Sequence, residues 1–528
     1  MLAERGDPQE CRFSAAVRTE HHPVLTGLDD EIDLVEDVPP IAYHGDAAEL
    51  HDTVRGHTAT LAKSWLSRLE SEQRNRVREN VSVTTEAERI EREFAAVTGL
   101  MPTQATPLAG GASRVTWQVV ADDRRFVVQA ARGDTERDML GEFELLVALS
   151  KAGLPIAEPL AAGSPAGRAV LVSAHVEGET FGVRVLRGLD EMARDRLAAQ
   201  FARSAADIHR LGTDAASKVG ALERGIDQLA TYGDIRLALA SDRPVLALAE
   251  RWLLDHPPEP HSPVLCHGDL RLGNLIIDNG ELAAVIDWEL AHFGHPAEDL
   301  GWCCVRAWRF GGPGAALGCV DRSRLLDEYH RAGGTPIDRE TLRYHEVLGT
   351  WKWGLMCLLQ AEAHLSGVVD DLEMLAIGRR VVENEYDVLR LLGWHPRDSQ
   401  DVATAEDFDA DRVDLRLPVD LTGIVPRLDD LQSALDRDVG ETTEYRRRLR
   451  VSVGEMIGRE RRVASRLTLN RRRRLDRLGF PDHRSLADEI VGGQRPVQAE
   501  LLATLGEEVL DQLRVVNPGY VGRVDDVV

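Results

Sequence analysis

Residues 264–302 constrain this chain more than any other stretch. Two short apolar runs, Val264-Leu265-Cys266 and Leu275-Ile276-Ile277, flank the polar loop His267-Gly268-Asp269-Leu270-Arg271-Leu272-Gly273-Asn274. Alternating apolar residues then lead into Val285-Ile286-Asp287-Trp288-Glu289. The pattern predicts a strand, a loop, a hairpin and a last strand that ends in an acid. One loop then carries both Asp269 and Asn274, and Asp287 reaches the same place along the far arm of the hairpin. Magnesium-dependent phosphoryl transfer to a hydroxyl needs three such groups. Asp269 would accept or orient the proton of the attacking hydroxyl. Asn274 and Asp287 would offer hard oxygen ligands to a magnesium that bridges ATP phosphates. A lone aspartate in a polar loop is ordinarily a turn or cap residue; the ordered set carries the reading.

Upstream, Thr85-x-x-Glu88 matches a capping box, Ile90, Phe94 and Val97 follow at helical spacing, and Gly99 suits the helix end. The segment Pro107–Trp117 holds Gly110, Gly111 and Ser113 just before an alternating strand. Adjacent glycines permit a tight turn whose N–H groups face a phosphate, although Gly-Gly by itself more often makes a plain hairpin. Residues 125–129 read as the next strand, 136–152 as a helix containing Glu142, and residues 190–255 as helical.

The motifs His-Gly-Asp-Leu-Arg-Leu-Gly-Asn at 267–274, Ile-Asp-Trp-Glu at 286–289 and Gly-His-Pro-Ala-Glu-Asp-Leu-Gly-Trp at 294–302 resemble the aminoglycoside phosphotransferase and choline kinase family, which shares the protein-kinase fold. Within that family the chain is most similar to the branch related to kinase domains fused to acyl-CoA dehydrogenases. The resemblance implies an α+β, bilobal, protein-kinase-like domain over 85–395, with ATP and magnesium between the lobes. It implies Asp269 as base, Asn274 and Asp287 as metal ligands, and Gly110, Gly111 and Ser113 as the cover over the phosphates. Glu142 matches the family's ion-pairing glutamate, and the backbone of Ala174 and Val176 matches the hinge that meets adenine. Asp299 matches a residue that caps or braces the catalytic loop, and His209 matches the family's buried histidine, a structural role. The substrate would be a small molecule with a hydroxyl, either an aminoglycoside-like compound or a hydroxyacyl-CoA or hydroxy acid.

One position departs from the family pattern. The third strand should carry a lysine or arginine over the ATP phosphates, but the matching residue is Gln129. The chain has only four lysines, Lys63, Lys151, Lys218 and Lys352, and none lies there. Arg132, just beyond, is the nearest substitute and the expected phosphate cation. The rival expectation is a nucleotide-binding pseudokinase that serves as a scaffold through its helical extensions.

The formal charge of −25 over 528 residues argues against general nucleic-acid binding. The charged N-terminus and the absence of a long apolar run give no signal peptide and no membrane span, so a soluble cytoplasmic protein is expected. The six cysteines form no CxxC pair, which suggests neither a zinc site nor a disulfide framework. Residues 1–84 read as an extension, irregular and then helical over 46–80; residues 396–420 read as an acidic linker; residues 421–528 read as an all-α domain. The terminal helices offer surfaces for self-association. An arginine-rich helix near 441–475 reads as a solvated face balanced by the chain's own acids. Trp302, Trp308, Trp351 and Trp353 read as core residues, with walls of a substrate cleft as the alternative.

Overall fold

Alternating apolar residues between 104 and 174 become five antiparallel strands: β1 (Gln104–Pro107), β2 (Arg114–Ala121), β3 (Arg124–Ala131), β4 (Pro159–Gly163) and β5 (Val170–Ala174). Their spatial order is β1-β2-β3-β5-β4. The computed structural model describes residues 83–521 except 109–113, 132–138, 218, 220–221, 223–226, 397–421, 439–443 and 496–497. Gly110, Gly111, Ser113, Arg132, the expected helix at 46–80 and all but the first residue of the expected acidic linker lie outside the described residues.

Trp117, Val119 and Ala121 of β2 and Phe126, Val128 and Ala130 of β3 fall on one sheet face and pack against Ile90 and Phe94 of helix α1 (Val83–Thr98). The capping-box reading misplaced this helix: it begins at Val83, so Thr85 lies in its first turn rather than before it. The buried anchors Ile90 and Phe94 hold the helix, and a local cap signal does not decide its start. The opposite sheet face meets helix α2 (Met139–Lys151), whose Leu145 and Leu149 share a core with Ala131 and Leu171.

The larger part is mostly helical. It contains α3 (Gly182–Gly188), α4 (Glu191–Asp207), α5 (Gln228–Leu239) and α6 (Pro244–Asp255). A π-helical turn at Ile208–Gly212 continues α4. Two small ribbons follow. Strand β6 (Val264–Cys266) pairs with β9 (His292–Gly294), and β7 (Leu275–Asp278) pairs with β8 (Glu281–Val285). Then come α7 (Ala297–Cys304), α8 (Arg322–Arg331), α9 (Arg339–Leu365), α10 (Leu372–Gly378) and α11 (Val381–Leu391). Two backbone ties join the parts across the β7–β8 ribbon. Glu179 and Ile277 exchange N–H···O bonds of 2.9 and 3.0 Å, and the Val285 N–H donates to the Pro155 carbonyl at 2.7 Å.

Beyond residue 421 the described residues are helical: α12 (Leu428–Arg437), α13 (Glu444–Leu478), α14 (His483–Val491) and α15 (Ala499–Val516). Their apolar faces enter the same core as Trp351, Trp353 and Leu389. The arginines of α13 meet the chain's own acids, as the sequence suggests: Arg446 with Asp371 at 2.8 Å, Arg471 with Glu508 at 3.1 Å and Arg474 with Asp511 at 2.6 Å. Arg379 and Glu460, both fully buried, form an ion pair between α13 and the residue that follows α10. Glu460→Ala is expected to cost about 3–5 kcal/mol, because it strands a buried guanidinium. A urea melt checks this, and an unchanged midpoint would remove the pair from the account. Among the described residues no helix is long and apolar enough to cross a membrane.

Candidate active site

The loop between β6 and β7 is fixed by buried polar contacts. Gly268 has φ 82°, and a Cβ there would stand 2.3 Å from the Leu290 carbonyl, so only glycine makes this turn. Asp299, in the first turn of α7, accepts the N–H groups of His267 at 2.9 Å and Gly268 at 3.0 Å. His209 faces Asp299 at 3.2 Å through Nε2 and the Tyr329 hydroxyl at 2.7 Å through Nδ1. The bracing expected of Asp299 is therefore present, and the buried His209 extends it into a chain of contacts. His267 Nδ1 accepts from the Asp269 N–H at 3.2 Å, and its Nε2 donates to the Ile286 carbonyl at 3.0 Å. Burial pushes its pKa down, which keeps the ring neutral and both bonds in place. One imidazole thus locks the loop to the strand end that carries Asp287.

The buried Asp269 carboxylate receives three donors. Arg271 Nε at 2.8 Å and Trp302 Nε1 at 2.6 Å reach Oδ1, and Asn274 Nδ2 reaches Oδ2 at 2.7 Å. Asn274 Nδ2 also donates to the Asp269 carbonyl at 2.9 Å, so the amide oxygen turns away from both acceptors. Asp287 is held at φ 69°, a left-handed conformation that costs a non-glycine residue of order 1–3 kcal/mol. Its carboxyl is pushed up to about 6, first by burial and then by the nearby charge of Asp269, against Arg114 and Arg271. A carboxylate whose charge is disfavoured in this way is one that a divalent cation would stabilise.

Among the described residues, Arg114 is a buried cation on the sheet side. It grips Glu142 with both terminal nitrogens, at 3.1 and 2.5 Å, and reaches Glu289 at 3.2 Å. Burial opposes its charge, but Glu142, Glu289 and Asp287 outweigh burial and raise its pKa. In the β2–β3 register Arg114 lies opposite Ala131, and Thr116 lies opposite Gln129. Arg114 and Gln129 therefore share a sheet face, one diagonal step apart. Arg132, the expected phosphate cation, lies outside the described residues; among those described, a guanidinium paired with Glu142 comes from the neighbouring strand, at Arg114. At the hinge, the Ala174 N–H is bound to the Glu158 carbonyl at 2.9 Å. A base there would have to use the Ala174 carbonyl rather than its N–H, with Val176 two residues further on.

The profile of the Phosphotransferase enzyme family matches residues 104–345, which take in the sheet, α2, the hinge and the whole of 264–302. Residues 104–345 thus carry a domain similar to that family's. The profile of a domain of unknown function (DUF6285) matches residues 438–520. Acyl-CoA dehydrogenase family member 11 of Rattus norvegicus is 32% identical over 172 residues, which are 30% of this chain and 22% of that protein. Acyl-CoA dehydrogenase family member 10 of Mus musculus is 26% identical over 216 residues, 37% of this chain and 20% of that protein. The chain thus spans about a fifth of the length of these relatives. A spectinomycin phosphotransferase solved with ADP and spectinomycin is 14% identical, covers 57% of this chain and 98% of its own, and has a TM-score of 0.41.

Within the phosphotransferase domain the structure brings Asp269, Asn274, Asp287 and Glu142 into one electrostatic neighbourhood. Sequence reasoning missed three contributors. Arg114 stood in the glycine-loop segment without a role, Glu289 was quoted only as part of a motif, and Trp302 was assigned to the core. Trp302 is buried, but its indole N–H is bonded to Asp269; the one available signal was its fixed place at the end of Glu-Asp-Leu-Gly-Trp. Trp302→Phe keeps an aromatic ring, though a smaller one, and removes the donor. Hydrogen bonds to charged groups contribute roughly 1.5–3 kcal/mol, so turnover is expected to fall at least about tenfold while the Michaelis constant for ATP stays near its parent value. Steady-state kinetics on both proteins checks this.

Proposed function

We propose that the chain is an ATP- and magnesium-dependent kinase that phosphorylates a hydroxyl of an anionic small molecule. The observation that carries the reading is the meeting of the Asp269–Asn274 loop with Asp287 on one side and the Arg114–Glu142 pair on the other. Asp269 would take the proton of the attacking hydroxyl. A carboxylate has about four lone-pair directions, and Arg271, Trp302 and Asn274 occupy three, so the hydroxyl would meet the one left. Arg271 and Trp302 fix the carboxylate's orientation, and the surrounding burial excludes water from it. Asn274 Oδ1 and the Asp287 carboxylate would hold magnesium; the donor set is hard oxygen only, and the amide is already turned for it. When bound, the ion would neutralise charge on the transferring phosphoryl group. Arg114 would reach phosphate oxygens with its fork, and Glu142 and Glu289 keep that fork in place.

Cations and aromatic rings around the base support an anionic acceptor over a polyamine such as an aminoglycoside. The Arg271 guanidinium lies 4.7 Å from the Trp308 ring centroid. The Lys352 ammonium lies 5.8 Å from the Trp302 ring, whose N–H holds Asp269, and 5.1 Å from the Tyr232 ring. The relatives named as acyl-CoA dehydrogenase family members point the same way, toward a hydroxyacyl-CoA or hydroxy acid. The scaffold reading rested on Gln129, and Arg114 supplies the cation whose loss motivated it. We also keep 85–395 as the kinase unit and 421–528 as the helical unit behind it.

Asp287→Ala tests the metal assignment. The mutant is expected to lose the Mg-ATP-dependent rise in melting temperature that the parent protein shows. An equal rise in both would exclude Asp287 as a ligand. A panel of hydroxyacyl-CoA thioesters, hydroxy acids and aminoglycosides, read by ADP release, tests the substrate class. Turnover on aminoglycosides alone would overturn the anionic reading and leave the kinase reading standing.

A further inference from the structure

A second set of donors stands just ahead of the catalytic loop. Antiparallel pairing sets Cys266 of β6 directly opposite His292 of β9, so the two side chains rise on one face of the ribbon. Glu298, in the first turn of α7, completes a triangle: one ligand atom from each of Cys266, His292 and Glu298 lies within 4.8 Å of the others. Gly294 clears the space between them. Its backbone is not left-handed, but a Cβ there would stand 2.7 Å from Glu298 Oε1 and 2.9 Å from His292 Nε2.

The hydrogen bonds around His292 leave two acceptors facing each other. Its Nδ1 lies 2.9 Å from the Leu290 carbonyl, which can only accept, so that nitrogen carries the proton of the neutral ring. Nε2 then points a lone pair at the Glu298 carboxylate, 3.0 Å away. The Gln228 amide donates to Glu298 Oε2 at 2.9 Å and lies 3.5 Å from His292 Nε2, and the His295 N–H donates to Glu298 Oε1 at 2.8 Å; the direct His292–Glu298 contact itself takes either an extra proton on the ring or a metal cation. A histidine whose Nδ1–H is anchored on a backbone carbonyl is the form in which proteins present Nε2 to a metal. A further nitrogen source is at hand. His345 of α9 is buried, neither of its ring nitrogens has a hydrogen-bond partner among the described residues, and its ring stacks on His295 at 4.6 Å. Its field also acts on Glu298. The alternative triangle His209, Cys266 and Asp299 lacks this feature, because His209 is bonded on both nitrogens and Asp299 is bonded to the loop backbone.

We propose that Cys266, His292 and Glu298 bind a divalent cation of zinc type, with His345 or water as the fourth ligand. One sulfur, one imidazole nitrogen and one carboxylate suit zinc, whereas the all-oxygen pair of Asn274 and Asp287 suits magnesium. The Cys266 thiol, which donates to the His295 carbonyl at 3.4 Å, would release its proton to solvent as the Sγ–metal bond forms. The ion would fasten the residue before His267 to β9 and α7, and so act as a positioning clamp on the loop that carries Asp269.

The full chain, stripped with a chelator and titrated with cobalt(II), tests the site. One equivalent should give a sulfur-to-cobalt charge-transfer band in the near ultraviolet, and zinc should displace it. Cys266→Ser should abolish the band. His292→Ala and Glu298→Gln should each weaken zinc binding by at least about tenfold, and they serve in its place if the cysteine variant does not fold. Asp287→Ala should leave the band unchanged. The proposal falls if the parent chain shows no such band. It also falls if the band survives in folded Cys266→Ser, or if Asp287→Ala removes it.

Discussion

Asp269→Asn is expected to lower phosphoryl transfer by roughly 10²–10⁴-fold, the range that a general base contributes. The Mg-ATP-dependent thermal shift should remain, because the proposed metal ligands and Arg114 are untouched. The substitution also has a structural cost. Three donors, from Arg271, Trp302 and Asn274, converge on this carboxylate. An amide offers them one acceptor oxygen and turns an NH₂ group toward at least one of them. That donor-to-donor contact should cost about 1–3 kcal/mol, so the melting temperature of the free protein should fall by a few degrees without loss of folding. Turnover within about tenfold of the parent would exclude Asp269 as the base.

Arg114→Met should do the opposite, damaging nucleotide handling and stability together. The methionine keeps most of the stem and removes the charge that Glu142 and Glu289 share. Two carboxylates would then face each other and Asp287 in a largely dry site, at a cost of about 3–5 kcal/mol. The Michaelis constant for ATP should rise and turnover should fall in parallel. The discriminating variant is the double one. Gln129 shares a sheet face with Arg114, one diagonal step away, so Gln129→Lys in the Arg114→Met background should restore part of both stability and activity. If Arg114→Met binds and turns over ATP like the parent, the cation must come from elsewhere, and Arg132 becomes the candidate again.

What could be read in advance follows from the range of the interactions. The strand, loop and hairpin of 264–294 were legible because each depends on neighbours a few residues away. The expected α+β class and the helical C-terminal part were legible for the same reason. Arg114 was hidden because its role depends on cross-strand register, which places it opposite Ala131 and beside Gln129. Trp302 is the core residue it was read as, and its second role escaped because burial and hydrogen bonding coincide in one ring: the apolar body packs in the core while the N–H serves Asp269. The Cys266–His292 pair escaped because its spacing resembles no linear metal motif; two strands joined through 25 intervening residues bring the pair together.

The continuity of the core between the helices on either side of residues 397–421 decides how the chain can be divided. Leu389 and Trp394 lie in one cluster with Leu505 and Leu513. A Cβ on Gly506 would stand only 2.1 Å from the Trp394 ring. Arg306 donates to the Tyr520 carbonyl at 2.8 Å and lies 4.1 Å from that tyrosine's ring. A cut at residue 345, where the family match ends, falls inside α9, and a cut at 396 uncovers an apolar wall with nothing to replace it. A shortened recombinant protein would therefore be prone to chaperone capture and inclusion bodies. Poor behaviour of such a fragment would report the exposed wall and say nothing about whether the enzyme works.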